Sequence, residues 1–151
     1  MKRHPWRPAL AVCALVVIAD QASKAAIRAN LVPGETVSVV GPLELTRSRN
    51  TGVAFGLAGG GGLGIVLLAV GAMALIGYLF ARNPSRPGMW LAAGLLAGGA
   101  IGNLIDRVRD GAVTDFIDLP LWPAFNVADI AITAGVATLA WILLSEPPGE
   151  R

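Results

Sequence analysis

The sequence predicts a mainly α-helical membrane protein, with four transmembrane helices and a small β region on the outer surface. Three observations carry that prediction. Apolar residues make up 54% of the chain and charged residues 15%, with a mean hydropathy of +0.63, far from the balance of a soluble domain. The apolar residues are clumped, with no charge from Ala54 to Ala81, from Pro87 to Ile105, or from Ile130 to Ser145. Three of the four apolar segments nevertheless hold an aspartate, namely Asp20, Asp106 and Asp129. A carboxylate near hydrocarbon is costly and by default marks a functional site.

The first helix is expected over residues 8–29, apolar through Ala19 and polar at Asp20, Gln21, Ser23 and Lys24. Asn30, Pro33 and Gly34 end it. Residues 35–51 alternate and are rich in β-branched side chains around a Gly41-Pro42 turn, the pattern of a hairpin on the membrane surface. Gly59 to Gly62 interrupts the chain before a second helix over 63–81, and a third follows over 88–108. The stretch from Arg109 to Phe125 contains Pro120 and Pro123, which exclude a regular helix. A fourth helix spans 126–145 and includes Asp129, giving the ~20 residues that cross a hydrocarbon core. The chain from 1 to 151 thus reads as a single integral membrane domain, with a disordered tail at Glu146-Pro147-Pro148-Gly149.

Charge sets the expected topology. Lys2, Arg3 and Arg7 precede the first helix, and Arg82 and Arg86 lie between the second and third. The positive-inside rule places both sets, and hence both termini, in the cytoplasm. Arg28, Arg47, Arg49, Arg107 and Arg109 then fall on the outer side, against the rule. The net charge of +2 comes without a basic run interleaved with aromatics, so no nucleic-acid partner is expected. The stretch from Asp20 to Lys24 makes a poor cleavage region, so the first helix is read as retained.

Several chemistries are excluded by what the chain lacks. Its one histidine, His4, lies in the amino-terminal tail, and Cys13 is its one cysteine. Histidine-based nucleophilic catalysis, a zinc site and an internal disulfide are therefore not expected. No phosphate loop or dinucleotide fingerprint occurs, and no metal or cofactor is expected. Gly94, Gly98 and Gly102 form a small-residue stripe. It is assigned to packing within the bundle rather than to dimerisation, so a monomer is expected.

The polar residues gather at the outer ends of the helices. Asn103, Asp106 and Arg107 share a helix face at i, i+3 and i+4, as do Asn126 and Asp129 at i and i+3, while Asn50 precedes the second helix on that side. Asp20 has Lys24 at i+4 as a structural partner, and Asp106 with Arg107 reads as a structural ion pair. Asn103 and Asn126 fit loop capping and substrate binding equally well. Asp115 and Asp129 differ in having no evident basic partner. Two carboxyls brought together without a cation share a proton, which yields a base and an acid in one site and can activate water for peptide hydrolysis.

In the order Asp20-Gln21-x-Ser23-Lys24, Asn50-Thr51-Gly52-Val53-Ala54-Phe55, Gly98 to Arg107, Gly111-x-Val113-x-Asp115-Phe116 and Phe125-Asn126-x-Ala128-Asp129, the chain resembles the bacterial lipoprotein signal peptidases, or signal peptidase II. The resemblance covers nearly the whole chain. It implies an aspartyl endopeptidase of the bacterial cytoplasmic (inner) membrane, acting near the outer face. The substrates would be prolipoproteins carrying a diacylglyceryl group on cysteine, cut immediately before that cysteine. It further implies Asp115 and Asp129 as the catalytic dyad, and Asp20, Asn50, Asn103, Asp106, Arg107 and Asn126 as support or substrate contacts, with Lys24 beside Asp20. A small β-sheet cradle and a mobile outer segment are implied above the membrane, with membrane lipids as the surroundings. Two rival readings remain: a transporter or channel whose aspartates relay protons or cations, and a non-catalytic bundle that binds lipidated proteins.

Overall fold

The computed structural model describes residues 6–52, 63–82 and 86–145. The glycine interruption expected before the second helix, the tail after Ser145 and His4 lie outside those residues. Four helices and four strands follow in the order α1 (Trp6–Asn30), β1 (Thr36–Val40), β2 (Leu43–Asn50), α2 (Leu63–Arg82), α3 (Met89–Asp110), β3 (Val113–Leu119), β4 (Trp122–Phe125) and α4 (Val127–Leu144). Each helix lies within a few residues of its expected bounds. By length and composition, α1, α3 and α4 can each cross a membrane.

The small-residue stripe sets how the helices meet. A Cβ on Gly94 would stand 2.7 Å from the Ala9 carbonyl, one on Gly98 2.9 Å from the Cys13 carbonyl, and one on Gly102 2.6 Å from Asp20 Oδ2. The contacts advance along both helices together, so α1 and α3 run parallel with their backbones pressed close. On the other side of α3, Gly99 faces the Ala128 carbonyl and Gly135 of α4 faces Leu96. There one number rises as the other falls, so α4 is antiparallel. Packing within the bundle, the assignment made from the sequence, is what the glycines serve.

The two ends of the bundle differ in chemistry. One is a hydrophobic cluster of Ala9, Phe80, Met89, Ala92, Ala93 and Ile142, with Trp6 edge-on to Phe80 at 4.3 Å between ring centroids. The other gathers the carboxyl ends of α1 and α3, the start of α4, and the sheet.

The sheet is larger than the hairpin read from the sequence. Its strands run β1-β2-β3-β4, all antiparallel. Pro120 and Pro123 do exclude a helix, but both are compatible with strands. Pro120 occupies the turn between β3 and β4, and Pro123 lies on the edge strand, where a ladder N–H is dispensable. Leu121 completes that turn with φ 66°, a position that normally takes glycine. The β2–β3 register sets Ser48 opposite Asp115 and Asn50 opposite Val113, which brings Asp115 to the bundle end.

Candidate active site

Asp20, Lys24 and Asp106 are completely buried. The Lys24 ammonium lies 2.9 Å from Asp20 Oδ2 and 3.2 Å from Asp106 Oδ2, and donates to Asn103 Oδ1 at 2.9 Å. Three donors meet three acceptors, which uses the full capacity of a lysine. Gln21 Nε2 adds contacts of 3.1 Å to Asp20 Oδ2, Asp106 Oδ1 and the Gly102 carbonyl. The remaining oxygens reach backbone. Asp20 Oδ1 accepts from the Ala128 N–H at 3.0 Å, and Asp106 Oδ2 accepts from the Thr114 N–H at 3.0 Å. The first of these N–H groups is an orphan donor in the opening turn of α4. One ionic cluster therefore ties α1 and α3 to the start of α4 and the start of β3. Its desolvation is tolerable because it is fully bonded.

One pairing read from the sequence is corrected here. Asp106 does not pair with Arg107; its cations are Lys24 and, at 3.7 Å, Arg28. Adjacent residues on a helix do not face each other, and Arg107 Nη1 instead donates to the Asn103 carbonyl at 3.4 Å. Arg28 also belongs to the cluster, through Asp106 and through a 3.1 Å bond to Thr114 Oγ1.

Asp115 and Asp129 sit in different surroundings, held by amides. Asp115, 3% exposed, accepts from Asn126 Nδ2 at 2.7 Å on Oδ1 and from Asn50 Nδ2 at 3.0 Å on Oδ2. Asp129, half-buried, accepts from Asn103 Nδ2 at 2.8 Å on Oδ1 and from the Asn126 N–H at 3.1 Å on Oδ2. Asn126 is the hub between them. It is the N-cap of α4, and its Oδ1 accepts from the Asp129 N–H at 3.0 Å, closing a reciprocal capping box. Its Nδ2 also reaches Asn103 Oδ1 at 3.1 Å.

Burial pushes the Asp115 carboxyl above the ordinary carboxylate range; the Asn50 and Asn126 hydrogen bonds oppose that rise, the Asp129 charge adds to it, and Lys24 opposes it. The pair is therefore not remote from cations, as its sequence neighbours imply. Lys24 stands one amide away from Asp129 through Asn103, and the Arg107 guanidinium is within electrostatic reach of both aspartates.

All nine residues singled out from the sequence fall at this one end, and hydrogen bonds or ion pairs join them. Asp20, Lys24, Asn103 and Asp106 form the ionic part, and Asn50, Asp115, Asn126 and Asp129 the amide-held part, while Arg107 braces the Asn103 backbone between them. Three further residues join the set: Gln21, Arg28 and Thr114. The spacing of Asp20, Lys24 and Arg28, each four residues on, is a signal that places all three on one face. Thr114 carries no such signal, because its role follows from the β2–β3 pairing.

Residues 12–145 match the family model for signal peptidase (SPase) II. This chain belongs to that family. Membership makes it an aspartic-type peptidase of a membrane-enzyme family. A lipoprotein signal peptidase from Moorella thermoacetica is 46% identical over 149 residues, covering 95% of this chain and 97% of the relative. One from Pelotomaculum thermopropionicum is 44% identical, covering 89% and 90%. A solved bacterial membrane enzyme matches the fold with a TM-score of 0.85 at 32% identity, over 92% of this chain and 94% of that one.

Proposed function

We propose that this chain is a membrane aspartyl endopeptidase that removes signal peptides from diacylglyceryl-modified prolipoproteins, cutting before the lipidated cysteine, with Asp115 and Asp129 as its catalytic dyad. The observation that carries the dyad is the amide bridge: two carboxylates joined through Asn126 and Asn103, one of them held up in pKa by burial. Neutral amides orient a carboxylate without fixing its charge, so a proton can move between the two.

In the proposed reaction, burial favours the protonated form of Asp115, which serves as the acid, and Asp129 serves as the base. Asp129, the more open of the two, takes a proton from water as the water oxygen bonds to the scissile carbonyl carbon. Asp115 gives its proton to the carbonyl oxygen. The gem-diol intermediate then collapses: Asp129 gives its proton to the amine nitrogen as the C–N bond breaks, and Asp115 takes back a hydroxyl proton as the carboxyl product forms. Asp20, Lys24 and Asp106 hold the elements in register, and Asn50, Asn103, Asn126 and Arg107 orient the carboxylates or the substrate backbone.

The proposed setting is the bacterial inner membrane. The chain forms one integral domain of four spans, with both termini cytoplasmic and the sheet and dyad at the outer face. A substrate anchored by acyl chains then reaches the site laterally, with its peptide bond at the boundary where water is available. The clustering of ionisable side chains at one end, against an apolar cluster at the other, speaks against an ion path through the bundle.

The test is cleavage of a diacylglyceryl-modified prolipoprotein by the purified full chain in micelles, read by mass spectrometry. A product whose first residue is the modified cysteine is expected. No cleavage, or a product starting elsewhere, overturns the assignment.

A further inference from the structure

A second polar site lies beside the first, shares Arg28 and Thr114 with its ionic cluster, and has no role in the proposed reaction. Arg28, Arg47, Arg49 and Arg109 converge on a cavity of about 370 Å³, also lined by Pro33, Ser48, Asp110, Ala112 and Thr114. Its size falls in the ~300–1,000 Å³ range of small-molecule sites. Two of these cations already have partners: Arg28 reaches Asp106 and Thr114, and Arg109 Nε lies 3.4 Å from Asp110 Oδ2.

Two of the arginines are fixed by backbone. Arg47 Nη1 donates to the Arg28 carbonyl at 3.1 Å and the Leu31 carbonyl at 2.8 Å, at the end of α1. Arg49 Nη2 donates to the Asp110 carbonyl at 2.7 Å, at the end of α3. Among the described residues neither has a carboxylate within ion-pair distance. Each guanidinium has five donors in a rigid fork, and these bonds occupy only one nitrogen of each. The forks are thus pre-positioned with donors and charge to spare, which suits a phosphate oxygen set. Capping of helix ends accounts for Arg47 and Arg49 singly, but not for why both line one cavity together with Arg28 and Arg109.

The depth of the cavity names the occupant. It lies where the apolar helices α1 and α3 end, at Asn30 and Asp110, which is the level of lipid phosphates when those helices span a bilayer. The surplus of positive charge also repels the choline or ethanolamine of a zwitterionic lipid. We infer that this cavity binds the phosphate of an anionic phospholipid headgroup.

The experiment uses the purified full chain in maltoside micelles with phosphatidylglycerol, phosphatidylcholine or inorganic phosphate, and reads bound lipid by native mass spectrometry. One phosphatidylglycerol should be retained. The double variant Arg49→Gln/Arg109→Gln should bind it about twenty-five-fold more weakly, two charges at roughly fivefold each near an anionic surface. Arg49→Lys/Arg109→Lys, which keeps the charge, should retain most of the binding and controls for loss of fold. Three outcomes overturn the inference: equal retention by the Gln variant, equal retention of phosphatidylcholine, or displacement of phosphatidylglycerol by millimolar inorganic phosphate, which would make this a free-phosphate site. Peptidase activity is not the readout, so this result and the one on cleavage stand separately.

Discussion

Asp20 and Asp106 are the same residue type as Asp115 and Asp129, lie at the same end of the bundle, and connect to them through Asn103. What differs is the partner. Asp20 and Asp106 face an ammonium with every oxygen bonded, and they act as mortar between helices. Asp115 and Asp129 face neutral amides, which supply hydrogen bonds while leaving the proton free to move. On the proposed assignment of the dyad, the nature of the partner, more than burial, is what separates a structural carboxylate from a chemically active one. Asn103 joins the two sets, with Lys24 on its Oδ1 and Asp129 on its Nδ2.

The comparison can be broken through stability first. Lys24→Met leaves two buried carboxylates without their common cation and should cost about 3–5 kcal/mol, read as denaturant unfolding in micelles; an unchanged midpoint would remove the mortar role. Gly99→Ala places a Cβ 2.5 Å from the Ala128 carbonyl, backbone that cannot yield easily. It should cost about 1–3 kcal/mol, and a stability within error of the parent would show that the α3–α4 contact is loose. Asn126→Ala removes the cap of α4 for about 1 kcal/mol, yet also takes the Nδ2 donor from Asp115 Oδ1 and breaks its link to Asn103. Its loss of turnover should therefore exceed what its unfolded fraction explains, and a turnover that merely tracks the folded fraction would contradict the hub.

The smallest expected effect is a slope. Burial raises the Asp115 pKa in the fold, so the folded state keeps a proton that the unfolded chain releases earlier. Its contribution is complete below the ordinary carboxylate range and is lost as pH rises through the raised folded value. Relative to Asp115→Asn, the parent should lose stability with rising pH across that window. A parallel pH dependence in the two proteins would show that Asp115 titrates normally.

Much of this arrangement was legible in the sequence, for identifiable reasons. Long uncharged runs and the glycine stripe bring α1, α3 and α4 together, and i, i+3 and i, i+4 spacings place Asn103 with Asp106 and Asn126 with Asp129. Tertiary pairing was not legible. Asp106 chooses Lys24 across 82 residues of chain over its neighbour Arg107 because helix geometry turns that neighbour away. The strands β3 and β4 were hidden by prolines that fit a turn and an edge, and with them the contact of Thr114 to Asp106. The cations near the dyad were invisible for the same reason: proximity through Asn103 leaves no trace in local order.

The most direct test of the division between the two carboxylate sets is the turnover of Asp115→Asn and of Asp129→Asn, each alone, on a diacylglyceryl-modified prolipoprotein. Each should lose about 10²–10⁴-fold in kcat, the contribution of a positioned acid or base, while unfolding near the parent midpoint. Near-parent turnover in either variant would contradict the account.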